Sequence, residues 1–203
     1  MRLAFVWDLT SAAPTPADAE PWLVLTDTTA SFCKQACGRS LRHFTINDII
    51  WRALSRADVP CTKEPVGLFR SDGKRPDGAT LIPWSEGRYL AWDATVVHSC
   101  ALPYITHPAG SRGPASAQAA ERKDLKYQGL PPTHKFQALA FETLGPINLS
   151  GAEFISSIGS RLSIISGDRR EASFLFQRLS VCIQRYNSVT FNGTFPATPD
   201  DEA

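Results

Sequence analysis

Arg75-Pro76-Asp77-Gly78-Ala79-Thr80-Leu81-Ile82-Pro83-Trp84-Ser85-Glu86-Gly87-Arg88-Tyr89-Leu90-Ala91-Trp92-Asp93-Ala94-Thr95-Val96-Val97 is the stretch on which the fold turns. Asp77-Gly78 closes a run of turn chemistry, Ser71 to Gly78, that also contains Asp72-Gly73. A short strand is predicted from Ala79 to Trp84, a turn at Ser85-Glu86-Gly87, and a longer strand from Arg88 to Val97. Side chains alternate along a strand, so Tyr89, Ala91, Asp93, Thr95 and Val97 share one face and Leu90, Trp92, Ala94 and Val96 the other. Asp93 follows Asp77 by sixteen residues, a spacing that lets a hairpin bring both carboxylates to one end of a sheet. A carboxylate beside Trp92 and a β-branched run is costly to bury unless something neutralises it, and a divalent cation does so.

Upstream, Ile46, Ile49, Ile50, Ala53 and Leu54 recur at helical spacing, which predicts a helix from Leu41 to Ala57, ended by Pro60. Thr62 to Phe69 reads as a first strand. Downstream, a Pro-, Gly-, Ser- and His-rich loop spans Ser99 to Pro114, and a helix is predicted from Ser116 to Leu130. Lys135 to Leu144 is a last strand, and helices from Ser150 to Ser166 and from Arg169 to Ser188 close the domain. The predicted class is α/β: helix, three-strand meander, helix, strand, then two further C-terminal helices. The crossover helix sets the last strand parallel to a neighbour.

The bulk numbers fit one soluble domain with tails: 203 residues, 43% hydrophobic and 20% charged. Residues 1–30 carry a net −3 and read, with the Pro-rich run 11–21, as an unrelated or disordered segment. Residues 192–203 read as a disordered acidic tail. Between them, residues 31–199 hold 20 basic and 13 acidic residues, a sign that favours a polyanionic partner. No apolar run is long enough to span a membrane, and Met1 to Leu9 does not read as a signal peptide. Five scattered cysteines fit a reduced, intracellular setting.

Two carboxylates holding Mg²⁺ would lower the pKa of bound water and offset charge as a phosphodiester is attacked. A nearby lysine can orient or deprotonate that water. A Pro-Asp at the start of one strand, with a second acid in the next, resembles the signature of the restriction-endonuclease-like, or PD-(D/E)XK, nucleases; Thr95 stands where the signature has lysine. Some branches of that superfamily carry the lysine on the following helix, where this chain offers Lys123 and Lys126.

A closer resemblance is carried by Arg42-His43, Lys63-Glu64-Pro65, Asp72-Gly73-Lys74-Arg75-Pro76-Asp77-Gly78, Trp92 to Val97, and Arg122-Lys123-Asp124-Leu125-Lys126-Tyr127. Phe176-Gln177-Arg178-Leu179-Ser180 and Gln184-Arg185-Tyr186-Asn187 extend it. Over residues 31–191 the chain resembles the endonuclease region that follows reverse transcriptase in non-LTR retrotransposon polyproteins. The resemblance implies a Mg²⁺- (or Mn²⁺-) dependent nuclease that nicks double-stranded DNA, in the nucleus, beside a reverse transcriptase that this sequence does not contain. Asp77 and Asp93 would hold the metal. Glu64 is either a third ligand or an ion-pair partner of Lys63 or Arg75. Lys123 or Lys126 would act on the attacking water, and Lys74 and Arg75 would meet the DNA backbone. Arg169 and Arg170, at a helix start, read as phosphate contacts or as surface charge held by Asp168 and Glu171. Ser31-Phe32-Cys33-Lys34 resembles the end of the family's zinc knuckle without the earlier ligands, so the chain reads as a truncated or decayed copy. The alternative is a remnant that binds nucleic acid without cutting it. Cys33, Cys37 and His43 fall short of a four-ligand zinc site and read as free thiols and a helix-start histidine.

Overall fold

The computed structural model describes residues 37–68, 73, 75–99 and 114–192. The expectations for the N-terminal segment, Cys33, Lys74 and the acidic tail lie outside them.

Helix α1, Cys37–Arg56, buries Ile46, Ile50, Ala53 and Leu54, the stripe read from the sequence. It begins four residues earlier than predicted, and its first turn packs closely on a distant helix. A Cβ on Gly38 would lie 2.3 Å from Thr190 Oγ1. Strand β1, Cys61–Lys63, is shorter than predicted. Glu64 turns the chain with a φ of 47°, and Pro65 has no N–H to continue a ladder. Strand β2, Gly78–Thr80, is also short: the Thr80 hydroxyl bonds Ile82 O, and Pro83 follows. Strand β3 is Tyr89–Val97, helix α2 Pro114–Tyr127 and strand β4 His134–Glu142. Helix α3, Leu149–Ser166, ends on Gly167 in the left-handed region, whose N–H bonds Ser163 O. Helix α4 is Glu171–Asn192.

The sheet runs β1-β2-β3-β4, with the first two pairings antiparallel and β3–β4 parallel from Tyr89↔His134 to Val97↔Glu142. The α/β class, the meander and the parallel closing strand are therefore as the sequence predicts. The two faces of β3 separate as its alternation requires. Leu90, Trp92 and Ala94 enter the main core with residues of α1, α3 and α4, among them Ile50, Phe154, Ile158, Leu175 and Ile183. On the opposite face, Ala119 and Ala120 of α2 pack on Ala138 and Ala140 of β4. Gly78 is required where it stands, because a Cβ there would lie 2.1 Å from the buried Trp92 ring. No helix among the described residues is long and apolar enough to cross a membrane.

Candidate active site

The β2–β3 register decides where the two aspartates stand. Gly78 pairs with Trp92 and Ala79 with Ala91, so the same antiparallel register places Asp77 opposite Asp93, one position beyond the first pair. The Ala94 N–H donates to Asp77 Oδ2 at 2.6 Å, tying the loop carboxylate to the β3 backbone. The predicted juxtaposition of the two carboxylates is therefore present.

Each carboxylate meets a cation from a helix. Lys123 on α2 donates from Nζ to Asp93 Oδ1 at 2.5 Å. One turn further along α2, the Tyr127 hydroxyl donates to Asp93 Oδ2 at 2.5 Å and stands 3.0 Å from Arg75 O. Tyr127 is itself fixed by stacking on Phe136, with ring centroids 4.3 Å apart. The N-terminus of α2 is anchored by the buried Glu142 at the end of β4, which accepts from Ser116 N–H at 3.0 Å. Lys123 is thus held on a helix pinned at both ends. From the other side, His43 on α1 points Nε2 at Asp77 Oδ2, 3.2 Å away, and at Ala94 O, 3.1 Å away. Two acceptors facing one nitrogen place the proton on Nε2.

These contacts set the electrostatics. The hydrogen bond to Asp77 holds the His43 imidazole above its ordinary pKa, against a smaller opposing effect of burial. Burial pushes Asp77 up, but the hydrogen bond and charge of His43, together with the Ala94 N–H and Asn47, outweigh it and hold Asp77 below the usual carboxylate value. Asp93 is pushed up, first by burial and then by the charge of Asp77, and Lys123 and Tyr127 offset only part of this. Two carboxylates in one site with opposed shifts mark a functional-site candidate.

His43, Asp77 and Asp93 each offer a ligand atom, and these atoms lie within 4.8 Å of one another, so the group could hold a metal ion. Two carboxylates and one imidazole form a donor set that suits a divalent cation. His43 was read from the sequence as a helix-start histidine. It lies instead in the second turn of α1, on the same stripe as Ile46, Ile50 and Leu54. A histidine at the head of a buried apolar stripe is the signal that could have found it. Asn47, one turn on, was also missed; it is 8% exposed and its Oδ1 has no partner.

The other predicted residues divide. Glu64, Arg75 and Lys126 line the same cleft as the two aspartates. Glu64 is exposed and stands outside the group that closes within 4.8 Å, although its backbone N–H bonds Asp77 O at 2.9 Å. Lys63 pairs with Asp48 rather than with Glu64. Thr95 lies on the Asp93 face of β3, half-buried. Arg169 and Arg170 do not reach the cleft. Arg56 at the far end of α1 pairs with Glu171, thirteen helical residues from His43, or about 20 Å along the axis. Arg170 is paired with Asp168.

Compared with known protein families and with curated proteins, the sequence gives no match.

Proposed function

We propose that the chain is a metal-dependent DNA endonuclease domain of the restriction-endonuclease-like type, of retrotransposon origin, nicking double-stranded DNA in the nucleus by phosphodiester hydrolysis. The observation that carries this reading is the convergence of Asp77 from the β2 edge, Asp93 from β3 and Lys123 from α2 at one cleft, with Lys123 Nζ 2.5 Å from Asp93 Oδ1. It agrees with the motif resemblance at the position where that resemblance departs from the common signature. Thr95 has no amine, and the helix supplies one.

A divalent cation at Asp77 and Asp93, Mg²⁺ or Mn²⁺, supplies charge neutralisation and a more acidic water. The rest falls to the chain. Lys123 is positioned to orient the attacking water and to meet negative charge as it develops. Tyr127 holds Asp93 in place while Lys123 acts. Arg75 and Lys126, at the mouth of the cleft, neutralise the DNA backbone. Purified protein with Mg²⁺ or Mn²⁺ is expected to convert supercoiled plasmid to the open circle, with no product in EDTA or from Asp77→Ala. Intact plasmid from the wild type, or equal nicking by wild type and Asp77→Ala, removes the enzymatic reading.

A second reading, a silent nucleic-acid-binding module, is favoured by one feature: Lys123 and His43 already neutralise the two carboxylates. A gel shift that persists in EDTA, weakens with salt and is never accompanied by nicking selects it.

A further inference from the structure

The nuclease reading assigns the cation to carboxylates, as Mg²⁺ prefers, yet the face of the cleft formed by α1 is not a carboxylate face. It presents His43 Nε2 to both Asp77 Oδ2 and Ala94 O. It also presents Asn47, one helical turn later, whose Nδ2 lies 3.5 Å from His43 Nε2. The Asn47 side chain is buried while its Oδ1 meets no donor, an arrangement that costs free energy. The amide nitrogen is the end that faces the site, where Asn47 also hydrogen-bonds the Asp77 carboxylate.

We propose that α1 completes the metal site, with His43 Nε2 as a direct ligand beside Asp77 and Asp93. The cleft then takes a divalent transition-metal cation, Mn²⁺ included, in preference to Mg²⁺. This rests on the metal-dependent reading of the cleft and narrows its ion. Mg²⁺ demands an octahedron of oxygens and gains little from imidazole, whereas imidazole nitrogen favours the later divalent metals and Mn²⁺ accepts both donor types. The His43 proton on Nε2 must leave when the metal enters, as metal binding to histidine requires.

The test is pulsed electron paramagnetic resonance of Mn²⁺ bound to the full chain, with Mn²⁺ and Mg²⁺ affinities from calorimetry. The expected result is one histidine nitrogen coupled to Mn²⁺ in the wild type, lost in His43→Ala and in His43→Gln. Mn²⁺ should bind tighter than Mg²⁺ by roughly tenfold or more, and His43→Ala should narrow that gap. The His43 side chain is 43% exposed, so its variants are expected to fold. Mn²⁺ bound without nitrogen coupling, coupling that survives both His43 variants, or equal affinity for the two ions overturns the proposal. Its fate is separable from that of the nuclease reading. Mg²⁺-supported nicking without nitrogen coupling removes only the His43 ligand. Nitrogen-coupled Mn²⁺ without any nicking removes only the nuclease.

Discussion

Asp93 is 5% exposed, faces Asp77 across the β2–β3 register, and is pushed toward its neutral form by burial and by that neighbouring charge. A raised carboxyl pKa means that the charged native state costs stability at neutral pH. Asp93→Asn removes that cost and keeps the geometry. One amide oxygen can accept from Lys123, and the amide nitrogen can donate to the Tyr127 hydroxyl, which then donates to Arg75 O. In EDTA the variant is expected to melt at or above the wild-type temperature while losing metal binding and nicking together. A thermal scan showing the variant several degrees below wild type would sink this account of the site as a place where function is held at the expense of stability.

Helix α2 places two groups one turn apart on one face, Lys123 and Tyr127, so that both reach a single carboxylate. Its own burial is modest, resting on Ala119, Ala120 and the Tyr127–Phe136 stack. A helix with so few large apolar contacts depends on polar anchors at its two ends: Glu142 at Ser116 and Asp93 at Tyr127. Tyr127→Phe keeps the stack and deletes the second anchor. A hydrogen bond to a charged group contributes about 1.5–3 kcal/mol, and denaturant unfolding should show a loss of that order. Nicking should fall as well, because Lys123 then rides on a less constrained helix. Unfolding curves for the variant that superimpose on the wild type would show that α2 is held by packing alone.

Across the whole molecule the titrating groups act on stability with a definite sign. His43 has a folded pKa above its ordinary 6.5, so the stability its ion pair contributes is fully present below that pH and is lost as pH rises through the higher folded value. Asp77, held below its ordinary 3.8, contributes stability above that value, which is lost as pH falls through its folded pKa. The stability that metal-free wild type gains over His43→Ala is therefore expected to be greatest below pH 6.5 and to shrink as pH rises above it. Metal binding through His43 runs the other way, strengthening as the proton leaves. A difference in EDTA melting temperature between wild type and His43→Ala that grows as pH rises above 6.5 would contradict the ion pair.

Alternation along Tyr89–Val97, the helical stripe of α1 and the turn residues around Asp77 are local patterns, and from them the α/β order, the meander and the facing of Asp77 and Asp93 are legible in the sequence alone. They are legible because side-chain period and turn chemistry are properties of a few neighbouring residues. Glu64 and the arginine pair showed the limit. Nothing local distinguishes a cleft-lining carboxylate from a ligand, or an arginine at the mouth of the cleft from one at the far end of a twenty-residue helix. His43, Asn47 and the choice of Lys123 to touch Asp93 came only from tertiary structure. Each depends on how α1 and α2 dock on opposite faces of one sheet, and docking is set by contacts between residues tens of positions apart.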